Sequence, residues 1–438
     1  MPRLHYRAAL IALTATLSLI LITISYTREA LRDVAILPKW PKRNFPTIRA
    51  GRTILFETAV HDEVIGALGH SLSQVDVRLT YASRFRFHFD RVLRDILPYE
   101  PEVFSENHFD QVREWIKNDE IDNLILTSCH EGLLEFQEDI LTSTANVVCI
   151  VHHGGGNFAN NLKHLLTVLV ERGQIRIVVL AHHVKQTVKD EVQFWADDED
   201  NRFWDRLKIE IFVPGFIYPK HKEFNKVAPF PHKAVIQGNL EQARRDYSKI
   251  FRSLNASLHA DASLWGYAMN SDGVFEANTA EPFELHLVGQ RIKETPVVIP
   301  DTLQHIITVD ENLSYPEYYN LIAEADLLIP AFSNRGTLWD TASSTIAAAI
   351  ITRTPVLVSE RHLRAYTYIK GPAGIERTVS EGDIGALERL RRTGDPRSRP
   401  EKLRREWDDY EDKIQHENAK MWTRVLMEKK DRALWGKW

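Results

Sequence analysis

The sequence predicts two successive α/β domains, each built on a parallel β-sheet that helices cover on both faces. From Thr53 onwards, short apolar runs of strand length alternate with longer amphipathic segments. The runs are apolar at nearly every position, which is typical of strands buried on both faces. A segment with three prolines, 219–231, interrupts the alternation, which then starts again. This order predicts two doubly wound, Rossmann-like domains, 53–218 and 232–399, joined by a linker.

The first domain contains six apolar runs with helix-like segments between them. We predict strands at 53–60, 76–83, 123–129, 146–153, 175–183 and 209–216. We predict helices at 109–118, 160–172 and 184–196. Cys129 and Cys149 each follow a strand-like stretch. Buried strand thiols are favoured over a disulfide, because a chain of this size needs no disulfide framework.

The second domain repeats the alternation and ends in a charged tail. We predict strands at 232–239, 283–290, 305–310, 326–332 and 354–359. We predict helices at 242–254, 315–325 and 340–352. The tail, 400–438, is strongly charged with spaced apolar residues, which indicates one or two long surface helices that pack back onto the domains.

Length and charge limit the function classes. A chain of 438 residues suits two domains with appendages, and 44% hydrophobic residues allow each domain a proper core. The net charge of −5 argues against nucleic acid as the main partner, since phosphate binding usually requires a basic surplus. A local basic groove stays compatible with this charge.

The first 52 residues carry a different signal. Residues 8–26 form an uncharged apolar stretch of about 19 residues, which at ~1.5 Å per residue spans a ~30 Å hydrocarbon core. We predict a transmembrane signal anchor there, after a short tail at 1–7 and before a basic, proline-containing stem at 27–52. A cleavable signal peptide is the main alternative, and a cytosol-facing anchor is another, since basic residues flank both ends.

A pair of arginines follows the first strand of the second domain, where residues 237–246 read QGNLEQARRD. A guanidinium offers a fork of hydrogen-bond donors to a diphosphate, whose negative charge grows as it leaves. Arg244 and Arg245 are therefore candidate phosphate ligands. The alternative is that both are solvated residues in the first turn of a helix.

The richest segment of the second domain, 325–360, reads as a strand, a polar glycine-containing loop, a small-residue helix and a second strand. Hydroxyls near the start of that helix favour an anion, because free backbone N–H groups point there. The candidates are Ser343, Ser344 and Thr345, with a helix cap and a helix-face hydroxyl as alternatives for the first and last. The loop residues that could line a ligand pocket, or simply be solvated, are Asn334, Arg335 and Gly336.

In the first domain, residues 151–157 read VHHGGGN at the predicted junction of a strand and a helix. Glycines let a backbone approach a ligand closely, and loops at the carboxyl ends of parallel strands form the ligand crevice. Two histidine pairs end neighbouring strands: His152 with His153, and His182 with His183. Adjacent strand residues point to opposite faces and no metal motif is present, so we expect no metal site. The glycine run also lacks the spacing of a dinucleotide or P-loop motif.

Two acids follow the first strand, in the segment that begins at His61. Asp62 or Glu63 is a candidate general base if the reaction is a single displacement. The competing interpretation is that Asp62 caps a helix and Glu63 lies in its first turn.

Taken together, residues 53–438 resemble the GT-B glycosyltransferases, in particular the retaining family-4-like and family-1-type group. Residues 213–216, VPGF, resemble the P-N-G-V turn of that group without its asparagine. In the group's G-R-x-x-x-x-K segment, Asn239 stands at the first basic position and Arg244 at the second. Alignment of its Glu-x7-Glu motif puts Asp340 at the first acid and Ala348 at the second.

The resemblance implies a glycosyltransferase that moves a sugar from a nucleotide-diphosphate donor to a glycan, lipid or protein acceptor, with no cofactor and no essential metal. It implies that Asp340 and His153 face the donor sugar and that the second domain holds the nucleotide. A nucleotide-sugar epimerase of the same fold is one alternative. A degenerate scaffold or partner subunit is another, because Asn239 and Ala348 replace family residues.

The apolar segment at 8–26 favours the transferase over the epimerase, which is normally a soluble enzyme. We expect a single-pass protein of the Golgi or endoplasmic reticulum with its catalytic part in the lumen. Sequons at Asn255 and Asn312 are usable only on that side.

Overall fold

A computed structural model describes residues 52–58, 61–104, 109–155, 162–197, 199–218, 230–242, 244–292, 296–333, 340–395 and 400–427. The chain divides into two compact units, 1–45 and 46–438. All of the described residues belong to the second unit.

The first sheet has seven strands, all parallel: β1 (Thr53–Phe56), β2 (Leu79–Ala82), β3 (Glu102–Phe104), β4 (Asn123–Leu126), β5 (Asn146–Val151), β6 (Ile175–Val179) and β7 (Ile209–Ile211). Their spatial order is β3-β2-β1-β4-β5-β6-β7. The chain therefore winds outward from β1 in both directions, which leaves a crevice at the carboxyl ends of β1 and β4. Its helices are α1 (Asp62–Ser73), α2 (Phe89–Ile96), α3 (Phe109–Lys117), α4 (Cys129–Glu135), α5 (Gln137–Thr142), α6 (Lys163–Glu171) and α7 (His182–Ala196), with a 3-10 helix at Glu199–Arg206.

The second sheet has six parallel strands: β8 (Lys233–Gln237), β11 (Glu284–Gly289), β12 (Ile307–Glu311), β13 (Leu327–Leu328), β14 (Val356–Val358) and β15 (Gly374–Glu376). Their order, β12-β11-β8-β13-β14-β15, repeats the winding of the first sheet. A small antiparallel hairpin, β9 (Tyr267–Met269) with β10 (Phe275–Ala277), stands apart. The helices are α8 (Tyr247–Ala260), α9 (Tyr315–Ala323), α10 (Ser344–Ile351), α11 (Glu360–Ala365), α12 (Gly382–Thr393) and α13 (Pro400–Met427), with 3-10 turns at Ala262–Trp265, Asp301–Leu303 and Gly371–Ala373.

The prediction of two parallel sheets covered on both faces is confirmed. Every residue of β1, β4 and β5 is buried, as their continuous apolar runs indicate. One buried apolar cluster fills the first sheet and continues to Val235 and Leu328 of the second. Another fills the opposite face of the second sheet. The strands β3, β9, β10 and β15 were not predicted, because most of their residues are exposed or half-buried and the sequence has no continuous apolar run there.

The described part of the charged tail, 400–427, forms one long helix, α13, that returns from the second sheet to the first. Arg353 donates to Glu411 of this helix over 2.8 Å. The Asn418 amide donates to the carbonyl of Val213 over 2.9 Å and accepts from its N–H over 3.1 Å. The helix therefore fastens the end of the first domain to the second.

No helix among the residues described is both long enough and apolar enough to cross a membrane. The 28-residue α13 has the length but is charged throughout. This finding contradicts the predicted location as a single-pass protein of the Golgi or endoplasmic reticulum, and that prediction is corrected. The segment 8–26 itself lies outside the described residues.

Candidate functional site

The carboxyl edges of the two sheets face each other across a cleft, and the loops that follow the strands touch. The N–H of Gly154, after β5, donates to the carbonyl of Asp340 over 2.6 Å. The N–H of Ala342 donates in return to the carbonyl of His152 over 2.8 Å. These two bonds form an antiparallel bridge that joins the domains at the centre of the cleft.

His153 and Asp340, the predicted catalytic residues, lie together at this bridge. His153 Nδ1 is 2.7 Å from Thr341 Oγ1 and 3.5 Å from Asp340 Oδ1. The Thr341 hydroxyl donates to Asp340 over 2.9 Å, so its oxygen is free to accept a proton from Nδ1. The neutral ring then carries its lone pair on Nε2. Both side chains are accessible, with 50% of His153 and 28% of Asp340 exposed.

A glycine lies beside this group. A Cβ on Gly155 would lie 2.7 Å from Asp340 Oδ2 and 3.3 Å from the His153 ring. At these distances a side chain at residue 155 would force the Asp340 carboxylate to shift, whereas glycine leaves it in place. Gly155 therefore allows the close approach of the two domains at the bridge.

The other three histidines of the two predicted pairs are bound to the scaffold. His152 Nε2 lies 2.7 Å from the carbonyl of Thr127, and burial holds the pKa of this ring well below its usual value. His182 Nδ1 lies 2.6 Å from the Thr367 hydroxyl. Among the described residues, no group of three acids, histidines or cysteines has the geometry of a metal site.

His183 joins the domains from the next strand. Its Nδ1 is 2.9 Å from the carbonyl of Ala365 and its Nε2 is 3.0 Å from the carbonyl of Thr341. Both ring nitrogens of His183 therefore contact backbone carbonyls of the second domain.

On the second domain's wall, Arg245 is buried with 6% of its surface exposed. Its Nη2 donates to the carbonyl of Gln237 over 2.9 Å and to the Thr345 hydroxyl over 3.0 Å. Within the described part of the chain no carboxylate oxygen lies within 4.0 Å of the guanidinium, and Nη1 has no hydrogen-bond partner. Burial lowers the pKa of Arg245, as expected of a cation without a counter-ion.

The neighbouring Arg244 differs completely. Its side chain is 63% exposed and donates to Glu241 over 2.9 Å. The reason is local: helix α8 begins at Tyr247 with Asp246 as its cap, later than predicted. Arg245 therefore lies in an extended bridge to Phe332, which turns its side chain inward while Arg244 points outward.

The three predicted hydroxyls lie at the start of α10, beside Arg245. Ser343 is the helix cap and accepts from the N–H of Thr345 over 3.3 Å. Thr345 is fully buried and donates to Gln237 Oε1 over 2.8 Å. Ser344 accepts weakly from the Gln237 amide. The three thus support the Arg245 pocket, while Asn334, Arg335 and Gly336 lie outside the described residues.

Two acids occupy the first domain's wall, at the start of α1. Asp62 is buried, and desolvation together with the charge of Glu63 raises its pKa to about 7. One of its oxygens has no partner, and its carboxylate accepts from the Tyr315 hydroxyl of the second domain. Glu63 is partly exposed, and desolvation raises its pKa above the ordinary value. No side chain caps the helix, so the capping interpretation of Asp62 is wrong.

Sequence reasoning missed Tyr315 and Gln237, which complete the two walls. Tyr315 begins α9, and its N–H donates to the carbonyl of Phe87 in the first domain over 2.8 Å. Gln237 ends β8 and orients Thr345. The position of Gln237 at a strand end was the available signal, whereas nothing in the local sequence marks Tyr315.

No protein-family model and no curated protein sequence matches the chain. One of the solved structures that resemble the chain is a mutant of phage T4 β-glucosyltransferase bound to UDP-glucose. It is 9% identical in sequence, and the match covers 86% of this chain and 99% of that chain with a TM-score of 0.45. UDP-GlcNAc 2-epimerase from Methanocaldococcus jannaschii has 11% identity, coverage of 81% and 98%, and a TM-score of 0.41. S. aureus MnaA with UDP has 11% identity, coverage of 81% and 94%, and a TM-score of 0.39. At this identity, substrate assignment depends on the chemistry of this chain's own residues.

Proposed function

We propose that this chain is a glycosyltransferase that binds a nucleotide-diphosphate sugar in the cleft between its two sheets. The observation that carries the proposal is Arg245, a buried guanidinium without a carboxylate partner at the carboxyl edge of the second sheet. A buried unpaired charge costs several kcal/mol (~3–5) unless an anion pairs with it. A diphosphate supplies that anion and becomes more negative as the sugar leaves.

The pocket around Arg245 is shaped for this role. Gly238 follows β8 with φ +128°, and a Cβ there would lie 2.7 Å from Arg245 Nη2. The start of helix α10 lies on the other side, where free N–H groups favour an anion. The guanidinium is held in place by Gln237 and Thr345, so little ordering remains when a phosphate binds.

The donor sugar then lies toward the bridge between the domains. There, Nε2 of His153 is in a position to accept from a sugar hydroxyl, because its Nδ1 is committed to Thr341. Asp340 completes this group through the same threonine. Both domains must be closed for the three residues to meet.

The acceptor approaches from the first domain's wall. In the proposed step, Glu63 takes the proton of an acceptor hydroxyl and the oxygen's electron pair forms a bond to the anomeric carbon. The electron pair of the old glycosidic bond leaves with the diphosphate, opposite Arg245. A carboxylate with a raised pKa suits proton transfer near neutral pH. Ala348 replaces the second acid of the retaining group, which also favours this single displacement over retention.

The two adjacent arginines provide the test. Isothermal calorimetry with UDP and GDP, with and without a chelator, compares the wild type with Arg245→Met and Arg244→Gln. We expect Arg245→Met to weaken binding by at least about thirtyfold, since it removes a charge-assisted contact. Arg244→Gln should change affinity less than threefold, because that side chain is exposed and paired with Glu241. A chelator should change neither, since we propose that no metal ion is needed.

Thermal unfolding of each variant separates a loss of binding from a loss of folding, because Arg245→Met removes the hydrogen bonds to Gln237 and Thr345 as well as the charge. Equal affinity of Arg245→Met and the wild type would refute the assignment of Arg245. Failure of the wild type to bind any nucleoside diphosphate would favour the scaffold alternative. Product analysis with a labelled nucleotide sugar then separates transfer from epimerisation, because only transfer joins the label to a second molecule.

A further inference from the structure

A second guanidinium without a partner lies on the first domain's wall. Arg86 is half-buried, and its Nε is fully buried without a hydrogen-bond partner. Among the described residues no carboxylate oxygen lies within 4.0 Å of it. The charge of Arg86 lowers the pKa of both Asp62 and Glu63, although burial raises both by a larger amount. Arg86 therefore lies near the same part of the cleft as the proposed base.

The loop that carries Arg86, 83–88, is held in a strained conformation. Phe87 and His88 are consecutive non-glycine residues with φ of 48° and 59°. Left-handed backbone is unfavourable for any residue with a Cβ, because the Cβ crowds the following carbonyl oxygen. The strain persists because the carbonyl of Phe87 accepts from Tyr315 across the cleft, and the Phe89 ring packs on that tyrosine at 4.8 Å. Strain of this kind, fixed by a contact between domains, is typical of residues that position a functional side chain.

The sequence of the loop alternates basic and aromatic residues. Arg84 and His88 are exposed, whereas Phe85 and Phe87 are half-buried. Arg91, one turn further on α2, adds an exposed charge. The loop therefore places positive charge beside two carboxylates at the acceptor side of the cleft.

We propose that Arg86 binds an anionic group, a phosphate or a carboxylate, on the acceptor. The inference rests on the proposed function, because it takes the first domain's wall as the acceptor side. The donor's diphosphate has its own guanidinium on the opposite wall, so Arg86 is available for a second anion. An acceptor held by Arg86 at one point would present a hydroxyl to Glu63 at another.

The competing explanation is that Arg86 only offsets the negative charge of Asp62 and Glu63. The two explanations differ in one measurable respect. An offsetting charge alters the pH dependence of the cleft but binds no added anion, whereas an acceptor subsite binds a free anion directly.

The test uses the full chain with Arg245→Met, which removes the proposed diphosphate site. This variant is titrated by calorimetry with inorganic phosphate, glucose 6-phosphate, glucuronate and glucose. We expect at least one anion to bind and glucose not to bind. Adding Arg86→Gln should weaken that binding at least about tenfold, Arg86→Lys should weaken it less, and Arg91→Gln should leave it unchanged within twofold.

Preference for glucose 6-phosphate identifies a phosphorylated acceptor, and preference for glucuronate identifies an acidic sugar. The proposal is overturned if no anion binds, if Arg86→Gln binds as before, or if Arg91→Gln loses as much affinity. Thermal unfolding of each variant shows that a loss is not due to misfolding, and Arg86→Lys keeps the charge if Arg86→Gln does not fold. Failure of the proposed function is visible separately, as failure of the chain with Arg245 intact to bind UDP or GDP.

Discussion

On the first domain's wall of the cleft the buried groups are carboxyls, whereas on the second domain's wall the buried group is a guanidinium. Desolvation raises the pKa of both Asp62 and Glu63, and the charge of Glu63 raises the pKa of Asp62 further. Arg245 has its pKa lowered by desolvation, and no carboxylate oxygen of the described residues lies within 4.0 Å of its guanidinium. Both walls come from the same position in the same topology, the carboxyl edge of a doubly wound sheet.

The difference shows how one fold supplies two kinds of chemistry. A wall that keeps acids close together favours proton uptake, because each ionised carboxyl raises the free energy of the other. A wall that buries an unpaired cation favours an anionic ligand. Each arrangement lowers the stability of the ligand-free protein, and such a loss of stability is common at functional sites.

The largest expected effect comes from removing Glu63, the proposed base on the acidic wall of the cleft. In an assay with an identified acceptor, Glu63→Gln should lower kcat by about 10²–10⁴-fold, because glutamine keeps the shape of the side chain but cannot act as the base. The wild type's kcat/KM should also rise with pH across a range above the ordinary pKa of a glutamic acid, since burial raises the pKa of Glu63.

Asp62→Asn is the matched control for Glu63. Asp62 is buried and accepts from Tyr315, so its carboxyl is less accessible to a substrate. A greater loss of kcat in Asp62→Asn than in Glu63→Gln would transfer the role of base to Asp62.

The second prediction concerns the effect of Asp62 on the free energy of unfolding. Its pKa rises from 3.8 in the unfolded chain to about 7 in the folded chain, so ionisation opposes folding. The wild type should lose stability as pH rises from 4 to 7. Asp62→Asn keeps an acceptor for Tyr315 without this loss. Urea unfolding should show the variant on the order of 2–4 kcal/mol more stable at pH 8 and close to the wild type at pH 4. A constant difference at both pH values would mean that Asp62 is not protonated in the fold.

Most of the fold followed from the sequence because burial on both faces leaves a strong pattern. The run at 146–153 predicted β5, and the run at 175–183 predicted β6, each correct at its first residue. The runs extended past the strands because Ala181 is also fully buried and His152 is half-buried. Edge strands such as β3 escaped detection because exposed three-residue segments carry no such pattern.

The site was less accessible to sequence reasoning, and the two arginines show why. Arg244 matched the family position and Arg245 only its neighbour, yet the structure buries Arg245. A shift of one residue reverses which side chain points inward on extended backbone. That shift was set by the cap at Asp246, which fixes where α8 begins. Contacts such as Asp62 with Tyr315 join residues of different domains, and no local pattern predicts them.

The smallest expected effect comes from removing the Thr341 hydroxyl at the bridge where the two walls meet. Thr341→Val removes the hydroxyl between His153 and Asp340 but keeps the side chain's shape and the backbone bonds to the first domain. The His153 ring loses the partner that fixes its tautomer, so kcat should fall about tenfold, about 1.4 kcal/mol, with nucleoside diphosphate affinity unchanged. Thr367→Val removes the same kind of contact from His182, one strand away and outside the bridge, and should change kcat less than twofold. If both variants lose the same activity, threonine–histidine contacts at this edge serve only the packing of the domains, and His153 has no special role toward the donor sugar.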